Sequence, residues 1–270
     1  MEGGRRPGKA TYLESEAHMN AISFAELRSA LGERQAPIVL DVRRQPAYRE
    51  ATDTICGALR RDPETVGAWM KALPRASGFV VYCVRGHEVS QSVAKALDGS
   101  GIRARYLEGG IEAWKAKEGP LDHKPAGADT RWVTRERPKI DRIACPWLIS
   151  RFVDRDAEFL YVPKEQVREA AQLREAVPYD VADVHFTHSG DLCSFDAFIK
   201  HYRLGGDPAL ERLALIVRGA DTGKPDLAPQ VPGLLAVSQG LSRIFADDHE
   251  MLRHGMVMYD ALYAWCKESK

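Results

Sequence analysis

Cys83 has the setting that most invites chemistry. A short apolar run, Gly78-Phe79-Val80-Val81-Tyr82, ends at this cysteine, the loop Val84-Arg85-Gly86-His87-Glu88-Val89 follows, and Ser90 to Leu97 reads as a helix. A thiol between a strand end and a helix start is placed to ionise, because the helix N-terminus and free loop amides stabilise a thiolate. The same amides can hold an anionic sulfur substituent or an oxyanion. The residues alone leave a second reading open, a buried cysteine beside an ordinary strand-to-helix turn, since free cysteines are among the most buried residues. Arg85 and His87 can attract an anion or face solvent. Asp41 and Arg43, at the end of the neighbouring run Pro37-Ile38-Val39-Leu40, are expected to form a structural ion pair that steadies the loop.

A second set of polar residues interrupts apolar segments in the other half: Lys139, Asp141, Arg142, His188, Arg218 and Asp221. Several stand at element ends, where side chains from different segments can converge. Three readings stay open. They can cap helices and pair internally. His188, Asp221 and Asp141, with Cys193 or Asp248, can hold a metal, although no ligand spacing such as H-E-x-x-H supports it. Lys139, Arg142 and Arg218 can form an oxyanion site.

The elements that must position these groups follow from pattern. Ser23-Phe-Ala-Glu26 has capping-box spacing, and Phe24, Leu27 and Leu31 continue at helical spacing. Pro37 to Arg43 reads as a buried parallel strand. Thr65 to Leu73 is a helix stopped by Pro74. Ile102 to Leu107 is a strand, and Ile111 to Lys117 a closing helix. Such alternation with short links means a parallel α/β sheet with helices on both faces, and ligands in such sheets sit at the carboxyl ends of strands. Gly119 to Thr130 concentrates Pro, Gly and charge and reads as a linker.

Beyond it, Ile140 to Phe152 is an apolar helix in which Pro146 must lie in the first turn or kink the chain. Glu158 to Val162 is a strand, and Asp183-Val-His-Phe-Thr-His188 alternates like one. Asp207 and Pro208 are an N-cap and first helical residue. Helices end near Gly223 and span about Gly233 to Phe245. The last begins at Asp247-Asp248, with Met251, Leu252, Met256, Tyr259, Leu262, Tyr263 and Cys266 as a core or dimer stripe. The expectation is a mostly helical α+β domain over 131–270, after a domain over 20–118 and a disordered N-terminus over 1–19.

Composition bounds function. Thirty-eight basic and 38 acidic residues cancel among 270, so no global field favours nucleic acid or an acidic membrane. No apolar run is long enough for a membrane span. The first 20 residues lack the apolar core of a secretory signal. Five widely spaced cysteines without a C-x-x-C pair fit neither a disulfide framework nor a zinc ribbon, and a reducing cytoplasm is the expected location.

The set Leu40-Asp41-Val42-Arg43, the Cys83 loop, and Tyr106-Leu107-Glu108-Gly109-Gly110-Ile111-x-x-Trp114 resembles a single rhodanese domain. The resemblance implies that Cys83 carries a persulfide sulfur from a small donor to a thiol acceptor, that the amides of Val84 to Val89 cradle it, and that no cofactor is required. Cysteine phosphatases and arsenate reductases on the same scaffold need an arginine six positions after the cysteine; here that position is Val89, beside an acidic Glu88, which argues against a tetrahedral dianion as phosphoryl substrate.

In the second half, Arg137-Pro-Lys-Ile-Asp141-Arg-Ile-Ala-Cys-Pro-Trp-Leu-Ile149, Phe186-Thr-His188, Ile216-Val-Arg-Gly-Ala-Asp-Thr222, Gly240-Leu-Ser-Arg243 and Tyr259-Asp-Ala-Leu-Tyr263 resemble the C-terminal domain of the chromate-resistance protein ChrB. That implies a role in bacterial chromate resistance, with chromate or another oxyanion as a possible ligand. ChrB is viewed as a chromate-responsive regulator. Here a rhodanese-like domain stands where its N-terminal region would be, and without a basic helix or net positive charge DNA binding is not expected. The sequence therefore points to a sulfurtransferase fused to a chromate-resistance domain, and the alternative is a non-catalytic redox or oxyanion sensor. Oligomeric state is left open, a homodimer included.

Overall fold

The computed structural model describes residues 20–31, 33, 35–75, 77–124 and 130–268. The expected disordered segment 1–19 and positions 125–129 of the expected linker lie outside the described residues. In chain order the elements are β1 (Ala21–Ile22), α1 (Phe24–Ala30), β2 (Ile38–Asp41), α2 (Gln45–Glu50), β3 (Asp53–Ile55), β4 (Leu59–Arg60), α3 (Val66–Trp69), β5 (Phe79–Tyr82), α4 (Glu88–Asp98), β6 (Ala104–Leu107), α5 (Gly110–Ala116) and β7 (Leu121–His123). There follow β8 (Arg131–Arg135), α6 (Asp141–Leu148), β9 (Glu158–Val162), α7 (Val167–Leu173), β10 (Val177–Pro178), α8 (Ser194–His201), α9 (Pro208–Thr222), α10 (Val231–Ile244) and α11 (Asp248–Glu268).

Two compact units result. The first comprises residues up to Tyr48 and Arg61–Leu121, the second Arg49–Arg60 and Asp122–Lys270. The segment 49–60, inside the span expected for the first domain, thus groups with the second. Its β3 pairs with β7, at the start of the expected linker. Asp122 Oδ2 accepts the Gly57 amide at 2.7 Å, and Lys124 N–H reaches Thr52 O at 2.8 Å.

In the first unit four parallel strands lie in the order β1-β6-β5-β2. Val39, Leu40, Val81 and Tyr82 are fully buried, as a strand covered on both faces requires. Helix α1 begins with the expected capping box: Ser23 Oγ accepts the Glu26 amide, and Glu26 accepts the Ser23 amide at 2.9 Å. Helix α4 starts at Glu88, two residues before the expected Ser90.

The second unit contains a three-stranded parallel sheet, β10-β8-β9. Val133 of β8 packs with Val167 of α7 and Ala176 in one small core. Trp132, Phe186 and Phe198 meet in another, with ring centroids 4.2 to 5.3 Å apart. Trp147 of α6 stacks among Phe152, Phe195, Tyr259 and Tyr263. The α11 stripe is therefore core of this unit: Met251, Leu252, Tyr259 and Cys266 are buried, with Met256, Leu262 and Tyr263 half-buried beside them.

The segment Asp183 to His188 is not a strand. Asp183 is in the left-handed region, with φ 56°, and the backbone pairing recorded in this segment is one isolated bridge at Phe186, whose carbonyl accepts the Asp180 amide at 2.9 Å. Its alternation reflects one buried ring, not a ladder. Pro146 lies in the sixth position of α6, beyond the first turn. It cannot donate to the Arg142 carbonyl four residues back. The hydroxyls of Tyr161 and Tyr179 approach that oxygen instead, at 3.5 and 3.4 Å, and the helix widens into a π turn over Ile149–Val153.

The start of α6 is strained. Ile140 has φ 45° and ψ −106°, a conformation that costs a β-branched residue on the order of 1–3 kcal/mol. It is held because its amide donates to Ser238 Oγ at 3.1 Å and its carbonyl accepts the buried Tyr259 hydroxyl at 2.8 Å. Tyr259→Phe removes this bond and leaves the Ile140 carbonyl to the amides of Ile143 and Ala144, at 3.1 and 2.9 Å. Urea unfolding should show a loss of about 0.5–1.5 kcal/mol, and no measurable loss would mean the tether does not hold Ile140 in place.

Candidate functional site

Cys83 follows β5 directly and opens the loop that leads into α4. Its side chain is buried, 7% exposed as a residue, yet it lines an open cleft of about 340 Å³ with Arg43, Arg44, Ala47 and loop residues Val84, Arg85, His87, Glu88 and Val89. The sulfur is thus reachable. Among the described residues no main-chain N–H from Val84 to Ser90 donates to another protein group. This is the donor set an anion at the thiol would need.

The loop is held from behind by the turn after β6. The Ile111 amide donates to Cys83 O at 3.0 Å, and the Glu112 amide to Val84 O at 3.1 Å. The approach is close enough that two glycines are obligatory. A Cβ on Gly110, whose φ is 58°, would stand 2.4 Å from Cys83 O; one on Gly86, at φ 70°, would stand 2.4 Å from Leu107 O. The Leu107-Glu108-Gly109-Gly110 turn is therefore a buttress for the cysteine loop.

Asp41 and Arg43 form the expected pair, and both are buried. Arg43 Nε lies 3.0 Å from both carboxylate oxygens and Nη2 2.5 Å from Oδ2, which also accepts the Tyr82 hydroxyl at 2.8 Å. Burial works against the Arg43 charge, but the Asp41 carboxylate outweighs it and holds the guanidinium protonated above its usual range. Arg85 points outward, paired at 3.2 Å with Glu112, both largely exposed. His87 and Glu88 are exposed, Val84 and Val89 half-buried, and Gly86 buried.

The thiol has a partner that pattern did not single out. Ser90 Oγ, fully buried, lies 3.2 Å from Cys83 Sγ and 3.2 Å from His87 O. A hydroxyl has one proton. It can donate to His87 O while accepting from the thiol, or turn toward the sulfur once that ionises. Ser90→Ala should slow iodoacetamide alkylation of Cys83, followed by peptide mass spectrometry, by about 3- to 10-fold, since one hydrogen bond to the thiolate contributes roughly 0.5–1.5 kcal/mol; an unchanged rate would show that Ser90 only packs there.

In the second unit, His188, Asp141 and Asp221 come together as expected, with Asp180 added. His188 Nε2 lies 3.1 Å from Asp221 Oδ2, 3.3 Å from Asp180 Oδ1 and 3.4 Å from Asp141 Oδ2. Asp141 is the first residue of α6, 1% exposed, where the helix dipole favours its charge. Asp180 just follows β10 in a left-handed conformation, φ 53°, and its position after a strand end is the one sequence signal that could have marked it. Its carboxylate accepts from Ser194 Oγ at 2.9 Å and Arg135 Nη2 at 3.0 Å, and forms an ion pair with Arg142 Nε at 3.2 Å.

Burial and the adjacent Asp141 push Asp221 up to about 8 and raise Asp180 as well. The Asp141 carboxylate pushes His188 up to about 9 against the effect of burial, with Asp221 and Asp180 adding to it. Cys193 also lies near, its sulfur within 4.8 Å of oxygens of Asp141 and Asp221, but burial raises its thiol far above the usual range.

The other expected residues do not join them. Asp248 accepts the Arg137 amide at 3.1 Å instead. Lys139, Arg142 and Arg218 do not form an oxyanion site: Arg142 is engaged with Asp180, Arg218 with Asp196 at 2.6 Å, and Lys139 is exposed. Tertiary pairing gives two of the three cations separate carboxylates.

Comparison with known proteins assigns both halves. A model of the ChrB C-terminal domain matches residues 132–266, half of the chain. The chain belongs to the ChrB C-terminal domain family. A rhodanese-like domain model matches residues 23–117. The ChrB-type part is 34% identical over 133 residues to protein ChrB of Cupriavidus metallidurans, covering 49% of this chain and 40% of that protein, so the match spans two fifths of that relative's length. Among solved structures, a rhodanese-related protein from Thermoplasma volcanium is 24% identical, covering 38% of this chain and 97% of its own, with a TM-score of 0.34. A rhodanese-like domain protein from Staphylococcus aureus is 26% identical, covering 40% and 100%, with a TM-score of 0.34. Both halves of the sequence reading, the rhodanese-like domain and the ChrB-type domain, stand, and no helix among the described residues is long and apolar enough to cross a membrane.

Proposed function

We propose that this protein is a rhodanese-type sulfurtransferase coupled to a chromate-resistance domain and acting in a bacterial response to chromate or related oxyanions. The observation that carries the proposal is Cys83 at the base of an open cleft, inside a loop whose amides from Val84 to Ser90 have no protein acceptor among the described residues. The Cys83 thiolate attacks the outer sulfur of a thiosulfate-like donor. The donor S–S bond breaks, sulfite leaves with the electron pair, and the new bond gives a Cys83 persulfide. An acceptor thiolate or cyanide then attacks the terminal sulfur and returns Cys83 as thiolate. The loop amides hold the anionic sulfur, and no cofactor takes part. The five free cysteines fit a reducing cytoplasm as the place of action.

Val89 and Glu88 at the cleft argue against phosphoryl chemistry, because neither can clamp a tetrahedral dianion. Coupling to chromate resistance rests on the second domain's family and the 34% identical relative.

Thiosulfate:cyanide turnover by the full chain should be present in the wild type and fall to background in Cys83→Ser. If the wild type turns over no donor while Cys83 is oxidised rapidly and reversibly by chromate or peroxide, the protein is a redox sensor and the transferase assignment is wrong.

A further inference from the structure

We propose that the second unit binds one divalent transition-metal ion through His188 Nε2 and one carboxylate oxygen each of Asp141, Asp180 and Asp221. The inference stands apart from the sulfurtransferase reading.

The argument begins with what hydrogen bonding leaves unexplained. One imidazole nitrogen faces three carboxylate oxygens, at 3.1, 3.3 and 3.4 Å. Nε2 carries at most one proton, which can be aimed at one acceptor, and good N–H···O bonds are about 2.7–3.2 Å. Three contacts of nearly equal length around one atom fit a common centre better than one donor. Two ligands each held about 2.1 Å from a tetrahedral ion stand about 3.4 Å apart, close to the three distances from Nε2.

A second observation is independent of the histidine distances. Asp141, 1% exposed, has an Oδ2 that is buried without a hydrogen-bond partner, and that oxygen faces the group. An unmet buried carboxylate oxygen destabilises the fold unless something compensates it. Asp180 already has two arginines and Ser194. Asp141 and Asp221 have no ion-pair partner among the described residues apart from His188. Oxygens of Asp141 and Asp180 and Nε2 of His188 lie within 4.8 Å of one another, and so do ligand atoms of Asp141, Asp221 and Cys193. Access is open on one side, where the His188 side chain is 42% exposed and Asp221 15%.

The donor set identifies the ligand class. Three carboxylates meeting at one point repel an oxyanion and attract a cation. Three oxygens with one imidazole nitrogen suit a borderline ion such as Zn2+, Mn2+ or Fe2+. The Cys193 thiol, sealed in the core at 1% exposure, serves as a packing neighbour and not as a ligand.

A competing group in the same unit, Cys56, Asp122 and His201, provides the control. It is internally satisfied: His201 Nε2 lies 2.9 Å from Asp122 Oδ2, and its Nδ1 2.9 Å from His185 Nε2. The full-length protein, stripped with a chelator, should be titrated calorimetrically with Zn2+, Mn2+ and, without oxygen, Fe2+. The expected result is one equivalent of at least one ion, with affinity weakened at least 100-fold in His188→Ala and Asp221→Asn, both on partly exposed residues, and kept in His201→Ala. Circular dichroism of each variant shows that the fold is retained, and a folded Asp141→Asn should lose the ion as well. The proposal is overturned if the wild type takes up none of the three ions. Binding that survives in both His188→Ala and Asp221→Asn, or that disappears in His201→Ala instead, overturns it equally.

Discussion

The first unit depends on a main-chain contact between two turns that are distant in sequence. The carbonyls of Cys83 and Val84 are held by the amides of Ile111 and Glu112, so the cysteine loop is fixed through its acceptors and its donors are left for an incoming anion. Only glycine permits this, because a Cβ at position 86 or 110 would stand 2.4 Å from an opposing carbonyl oxygen, well inside van der Waals contact. Two glycine pairings thus hold the loop after a strand end with its amides free of protein acceptors among the described residues. The buried Asp41–Arg43 pair and the Tyr82 hydroxyl fix the adjacent strand end by the same principle, polar groups satisfied locally so that the cleft wall does not move.

The second unit solves a different problem, the burial of carboxylates. Asp141 is carried into the interior by a strained Ile140 whose backbone is tied at both ends by Ser238 and Tyr259. Asp180 is fixed beside it by two arginines and a serine. Pro146 belongs to the same construction. It frees the Arg142 carbonyl toward two tyrosine hydroxyls and is followed by a widened turn, so α6 departs from regular geometry within a few residues of Asp141. Strain and unmet polar atoms concentrated around one constellation are typical of places where a fold gives up stability for function.

The two units differ in how electrostatics is used. Beside Cys83 the buried charged side chains Asp41 and Arg43 form one neutral pair, and Arg44, Arg85 and Glu88 of the cleft lining are exposed. The groups beside the thiol without a protein acceptor among the described residues are therefore local amides. Around Asp141 three carboxylates crowd one place, with Arg135 and Arg142 paired to Asp180, and burial together with the neighbouring carboxylates pushes Asp221 and Asp180 upward.

Local pattern placed several features that near neighbours decide. The apolar runs into Asp41 and Cys83, the capping box at Ser23, the Asp207-Pro208 helix start and the Gly109-Gly110 turn all act through near neighbours, and each is where the pattern put it. Sequence also brought Asp141, His188 and Asp221 into one set, because polar residues at the ends of apolar elements have few places to go. Tertiary structure alone decided which partners they meet. Asp180 joined, Asp248 went to Arg137, and the supposed cations separated onto Asp180 and Asp196. Alternation over Asp183 to His188 suggested a strand, yet one buried ring produced it. The physical reason is range: propensity and periodicity report the chain's own neighbourhood, whereas charge pairing and close backbone approach depend on segments as far apart as the 111 residues between Arg137 and Asp248.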